Sequence, residues 1–80
     1  MQTVIANIIQ WHKDRNLIEG STDKDQVLKL MQELGELSDH VCKDSHTMLI
    51  ADDLGDMMVV MLNIMHRNNL TIEQCLEKAY

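Results

Sequence analysis

Four carboxylates in two short segments are the residues best placed to do chemistry. Glu33 and Glu36 stand three residues apart in QELGELSDH, and Asp53 and Asp56 do the same in DDLGDMMVV. Each pair encloses a Leu-Gly step, ending at Gly35 and Gly55. Acids at i and i+3 of a helix share a face and repel by a few tenths of a kcal/mol when exposed. Two such pairs facing each other repel more, unless a cation lies between them. Magnesium takes oxygen ligands, uses one or two protein carboxylates and leaves positions for water and substrate phosphates. Carboxylates projecting inward from the helices of a bundle build such sites. A Gly inside a helix costs ~1 kcal/mol relative to Ala, so Gly35 and Gly55 are expected where a neighbouring helix or a ligand comes close. The opposing reading is a pair of solvated faces, since 13 acids in 80 residues produce such spacings readily.

The elements that must position these acids are helical. There is no Pro and no Phe, and only three Gly, while Leu, Met, Ile, Val, Glu and Lys are plentiful. That composition favours helices and leaves little material for turns. Thr3 is placed to cap a first helix, VIANIIQWHKDRN. Glu19–Thr22 read as a turn, with Ser21 or Thr22 the next cap, and a second helix is expected from about Asp23 to Cys42. KDSHT at 43–47 is the next break, with Thr47 capping a third helix from about Met48 to Asn68. Thr71, with Glu73 and Gln74 after it, opens the last helix.

At ~100° per residue, Val27, Leu30, Met31, Leu34, Leu37 and Val41 form one stripe of the second helix. Gln26, Lys29, Glu33, Glu36 and His40 form a strip beside it, which puts the acids at the edge of the expected core. On the third helix Asp53, Asp56, Val60 and Asn63 share a face. Ile50, Leu54, Met57, Met58, Met61, Leu62 and Met65 take most of the rest. A helix so apolar around its circumference is buried on more than one side, and 80 residues can hardly cover it. A dimer or tetramer is the expectation, with this helix near the interface.

Length allows one domain, 1–80. The net charge of −6 counts against nucleic acid and anionic membrane as partners, because both need a basic footprint. Cys42 and Cys75 form no metal-type spacing and no disulfide framework, which suits a reduced, cytoplasmic protein. No basic segment followed by an apolar run opens the chain, so a signal peptide is not expected. The longest apolar stretch, Met57–Leu62, is far short of the ~20 residues that cross a bilayer.

KLMQELGEL followed by DDLGDMMVVMLNI resembles the MazG-like family of all-α nucleoside triphosphate pyrophosphatases, especially its short, single-domain, phage-borne members. The family pattern is ExxE on one helix and ExxD on the next; here Glu33 and Glu36 match the first pair, Asp53 and Asp56 the second. IIQWHKDRNLI and NNLTIEQCLEKAY also look like that family, so the resemblance covers nearly the whole chain. Three departures stand out. Gln32 stands where the commonest pattern has an extra Glu, Asp53 shortens one ligand by a methylene, and the chain ends before a C-terminal extension whose basic residues many members supply.

The resemblance implies a four-helix bundle completed by oligomerisation, and hydrolysis of a nucleoside triphosphate between the α- and β-phosphates to monophosphate and pyrophosphate. It implies magnesium, with manganese as the alternative, held by Glu33, Glu36, Asp53 and Asp56, bridging the phosphates and acidifying the attacking water. Glu36 or Glu33 would take the water's proton. Lys29 is placed to meet a phosphate oxygen, or to pair with Glu33 at i,i+4. Asn63 would meet sugar, base or a neighbouring helix. Trp11 would stack on a base or pack at a core or interface, and Arg15 would reach phosphate or lie on the surface. His40 reads as rim or surface, and His12, His46 and His66 as ordinary partly exposed residues. The competing readings are a non-catalytic helical oligomer that binds nucleotide or protein through a degenerate acidic site, and a purely structural one.

Overall fold

With no Pro and few Gly to punctuate the chain, its helix ends rest on polar side chains. The computed structural model describes all 80 residues, which form α1 (Gln2–Asp14), α2 (Asp23–Cys42), α3 (Thr47–Arg67) and α4 (Ile72–Ala79), with no strand. Thr22 caps α2, its hydroxyl accepting from the Asp25 backbone N–H at 3.1 Å. Thr71 and Gln74 form a reciprocal capping box at α4, as their spacing requires. Two expected caps are displaced. Thr3 lies inside α1, which begins without a side-chain cap. Thr47 is the first residue of α3, and His46 Nδ1 accepts from the Met48 N–H instead.

The first three helices stop by the same device. Asn16, Asp44 and Asn69 have φ of 55°, 53° and 56°, the left-handed conformation that Asn and Asp tolerate better than other non-Gly residues. Behind each, the next N–H closes on the last helical turn: Leu17 on His12, Ser45 on His40 and Leu70 on Met65, all at 2.9 Å. These are Schellman closures built without glycine. Gly20 is needed for contact: a Cβ there would sit 2.5 Å from the Asn16 carbonyl oxygen.

α3 is the central element, with α2 packed along it most extensively and α1 on another side. The face α2 turns to α3 differs from expectation. Gln26 and Glu33, from the polar strip, are buried, whereas Val27, Met31, Leu34 and Val41 of the apolar stripe are exposed. Glu33 thus belongs to the packed face of α2, while Glu36 lies exposed at its edge. α3 matches with Asp53, Val60 and Asn63 buried. Only seven residues are buried, and five of these are polar.

Apolar packing within the chain is correspondingly thin. Val60 and Leu62 are the two buried hydrophobic residues, while Leu54, Met58 and Leu76 are exposed. The radius of gyration is 13.5 Å, against roughly 12 Å for a compact domain of this length. No helix is long and apolar enough to cross a membrane.

Candidate metal centre

α2 and α3 bring three of the four carboxylates together. One ligand oxygen each from Glu33, Glu36 and Asp56 lies within 4.8 Å of the others. Their environments differ. Glu33 is 6% exposed, with Oε1 3.1 Å from Lys29 Nζ and Oε2 enclosed without any partner. A buried carboxylate oxygen left unpaired is costly. Glu36 is exposed and free of ion pairs. The Asp56 carboxyl is pushed above the usual carboxylate range, first by loss of solvent, then by the charges of Asp52, Glu33 and Asp53, with Lys29 opposing. An all-oxygen donor set, an orphaned buried oxygen and uncompensated negative charge together fit a hard divalent cation.

Asp53 does not join this group. It is 3% exposed, and its Oδ2 lies 2.5 Å from His40 Nδ1. That hydrogen bond is the main reason the His40 pKa is raised; the charges of Asp53, Asp39 and Glu36 add to it and burial opposes. His40 is partly exposed, as expected of a rim residue, and is also the partner of a carboxylate expected to hold metal. The short Asp side chain reaches an imidazole one turn beyond Glu36 rather than the three clustered acids. The signal was present in the sequence, since His40 falls on the strip of Glu33 and Glu36. The acid it meets lies on another helix, which the strip alone does not show.

A cleft of about 540 Å³ runs from this cluster between α1, α2 and α3. Glu33, Asp56 and Lys29 line one part of it, and Trp11, Val59 and Val60 form apolar wall. Trp11 is 43% exposed, and the Arg15 guanidinium lies over its ring, 4.1 Å from the centroid. Arg15 also donates to the Trp11 carbonyl and does not itself line the cleft. Lys29 pairs with Glu33 while facing the cleft, so the two readings of it are compatible.

Asn63 occupies a different place from the one expected of a substrate ligand. It is completely buried, and its amide nitrogen donates to the Leu17 carbonyl at 3.0 Å and to His12 Nδ1 at 3.2 Å. His12, expected to be partly exposed, is 2% exposed; its Nε2 bonds the Val59 carbonyl at 2.9 Å. Together they pin α1 and the following loop to α3. At Gly35 and Gly55 no neighbouring helix comes close, because a Cβ at either would meet nothing within 4 Å. The chain itself makes no close approach at them.

No family model matches the chain, and no solved structure matches it. A protein of Haemophilus phage HP1, described as an uncharacterized 18.2 kDa protein in the rep-hol intergenic region, is 45% identical over 78 residues. The match takes in 98% of this chain and 46% of the phage protein, so the chain spans about half the length of that relative.

Proposed function

We propose that the chain is a MazG-like, magnesium-dependent nucleoside triphosphate pyrophosphohydrolase, with manganese as the alternative metal, acting in nucleotide-pool housekeeping in a host cytoplasm. The observation that carries this reading is Glu33: a buried carboxylate with an orphaned oxygen, clustered with Glu36 and Asp56 at a cleft walled by Trp11. Bound there, magnesium supplies charge neutralisation for the phosphates and a more acidic water.

The chain's own groups supply the remainder. Glu36, exposed and unpaired, accepts the proton of the water that attacks the α-phosphorus as the pyrophosphate group departs. Lys29 meets a phosphate oxygen, exchanging part of its bond to Glu33. Trp11 offers a ring face or edge to the nucleoside. Arg15, stacked on Trp11, stiffens that ring rather than binding phosphate. Asp53 and His40 hold the seam between α2 and α3 beside the cluster.

The active form in this reading is a dimer or tetramer. The exposed apolar stripe of α2 and a groove of about 410 Å³ between α1 and α3, which includes Val4, Ile8, Met58 and Met61, are the surfaces a second copy covers. One experiment tests the reading: pyrophosphate release from a panel of nucleoside triphosphates with magnesium, for the native chain and for Glu36→Gln and Asp56→Asn. Turnover lost in both variants supports it. The engagement of Asp53 by His40 favours a second reading, a non-catalytic nucleotide-binding oligomer. It predicts magnesium-dependent thermal stabilisation by nucleotide without turnover.

A further inference from the structure

The cleft has a second polar region, away from the metal cluster. Gln26 is 8% exposed, one of only seven buried residues, and lies in the wall formed by α2. Its amide nitrogen donates to Ser21 Oγ at 3.0 Å, and this is its one side-chain hydrogen bond within the chain. The carbonyl oxygen of Gln26, its second amide hydrogen and the Ser21 hydroxyl hydrogen are left for something else. His12 lines the same cleft, but both its ring nitrogens are engaged by Val59 and Asn63. The free hydrogen-bonding capacity of this region therefore rests on Gln26 and Ser21, with the exposed Asp25 beside them.

This pair is held in place from the other side. Arg67 on α3 donates to the Leu17, Ile18 and Ser21 carbonyls and forms an ion pair with Asp23. The loop that carries Ser21 is thus tied to α3, and Ser21 in turn fixes Gln26. A polar group locked in a mostly buried wall with unused donor and acceptor capacity is how a ligand site gains selectivity.

Position along α2 says what it meets. Lys29 is one turn from Glu33, and Gln26 lies seven residues from it, about 10 Å at ~1.5 Å per residue. A triphosphate anchored at Glu33, Glu36 and Asp56 passes Lys29 with its phosphates and brings its nucleoside to Gln26. Asp25, a carboxylate with no ion pair, disfavours the reverse orientation by repelling phosphate. The cleft volume lies within the ~300–1,000 Å³ of small-molecule sites.

We propose that Gln26, positioned by Ser21, is the specificity-determining residue of this cleft and hydrogen-bonds the edge of the nucleobase. The inference rests on the pyrophosphohydrolase reading and deepens it. An amide pairs with a base edge that offers a donor beside an acceptor, and a buried amide left unpaired by the wrong base penalises that base.

The test measures kcat/KM for ATP, GTP, CTP, UTP and their deoxy counterparts with magnesium. It compares the native chain, Gln26→Leu and Gln26→Glu, with helicity and magnesium affinity followed in parallel; where nucleotides bind without turnover, Kd replaces kcat/KM. The expected result is discrimination among bases by the native chain. Gln26→Leu narrows it by about tenfold or more, and Gln26→Glu changes which base is preferred, both with unchanged magnesium affinity. Equal losses for every base, a change confined to the ribose-to-deoxyribose ratio, or no base discrimination by the native chain would overturn the inference while leaving the pyrophosphohydrolase reading in place. If no nucleotide is hydrolysed or bound, that reading falls and this inference with it.

Discussion

ELGEL on α2 and DLGDM on α3 look like two copies of one device, yet the tertiary structure uses them differently. In the first, both acids enter the cluster. In the second, only Asp56 does, and Asp53 pairs with His40. Identical spacing places two acids on one helix face, but the neighbour each meets depends on the side chain's length and on the residues opposite. The α2 segment offers two Glu side chains, one of them buried and half satisfied. The α3 segment offers shorter Asp side chains, one of which finds a basic partner first.

The largest break in this comparison is expected from Glu33→Gln. It removes the buried charge that the cluster is built around, so magnesium affinity by calorimetry should fall at least the ~10–100-fold that even outer-shell changes cost. Asp56→Asn should lose metal comparably, with an opposite effect on the metal-free fold. The Asp56 pKa is raised in the folded chain, so folding favours its protonated form, and stability is lost as pH rises through that value. The Asn variant should therefore melt higher than the native metal-free chain at pH 7, and the difference should shrink toward pH 4.

Asp53→Asn should weaken magnesium by about tenfold or less, because its link to the cluster is indirect. A loss as large as that of Glu33→Gln would show that Asp53 leaves His40 to bind the ion. The smallest effect concerns His40 itself. Its folded pKa lies above the ordinary 6.5, chiefly through the hydrogen bond to Asp53. Its contribution to stability is full below about 6.5 and lost as pH rises through the raised folded value. Thermal melts of the native chain should decline across that window, and those of His40→Asn should decline less. Equal slopes would remove the ion pair from the account.

The exposed apolar faces sharpen the same contrast. Val27, Met31 and Leu34 on α2 lie open while Glu33 of the same helix is buried. Met31→Lys should lower the mass of the particle in sedimentation at micromolar concentration, with magnesium affinity changed less than about twofold. A monomer mass for the native chain would remove the second copy from the proposal, and an oligomer unchanged by the substitution would direct attention to the α1–α3 groove.

Much of this fold was readable in advance for a local reason. α2 was found at the expected residues, and the caps at Thr22 and Thr71 follow from side chains bonding N–H groups three residues away. The grouping of Glu33 with Glu36 was equally local. The roles of His40, His12, Gln26 and Arg67 were not, because each depends on a partner 5 to 51 residues away in sequence. Asn63 stands out as a polar residue in an apolar helix, but its partners on α1 and the following loop are not legible from α3 alone.

The helices, the caps at Thr22 and Thr71 and the faces on which acids and apolar residues lie follow from local sequence, since these depend on hydrogen bonds and periodicity within a few residues. Which of those faces turns inward depends on the partners that one helix meets on another. Periodicity predicts an apolar stripe at the core of a chain that folds alone. This chain instead buries Gln26 and Glu33 of the polar strip and leaves Val27, Met31, Leu34 and Val41 of the apolar stripe outside. Burying Glu33, Asp53, Gln26 and Asn63 is costly unless each polar atom has a partner. Lys29, His40, Ser21, His12 and the Leu17 carbonyl supply most of them. The two fully enclosed oxygens left without one are Glu33 Oε2, among the clustered acids, and Asn63 Oδ1.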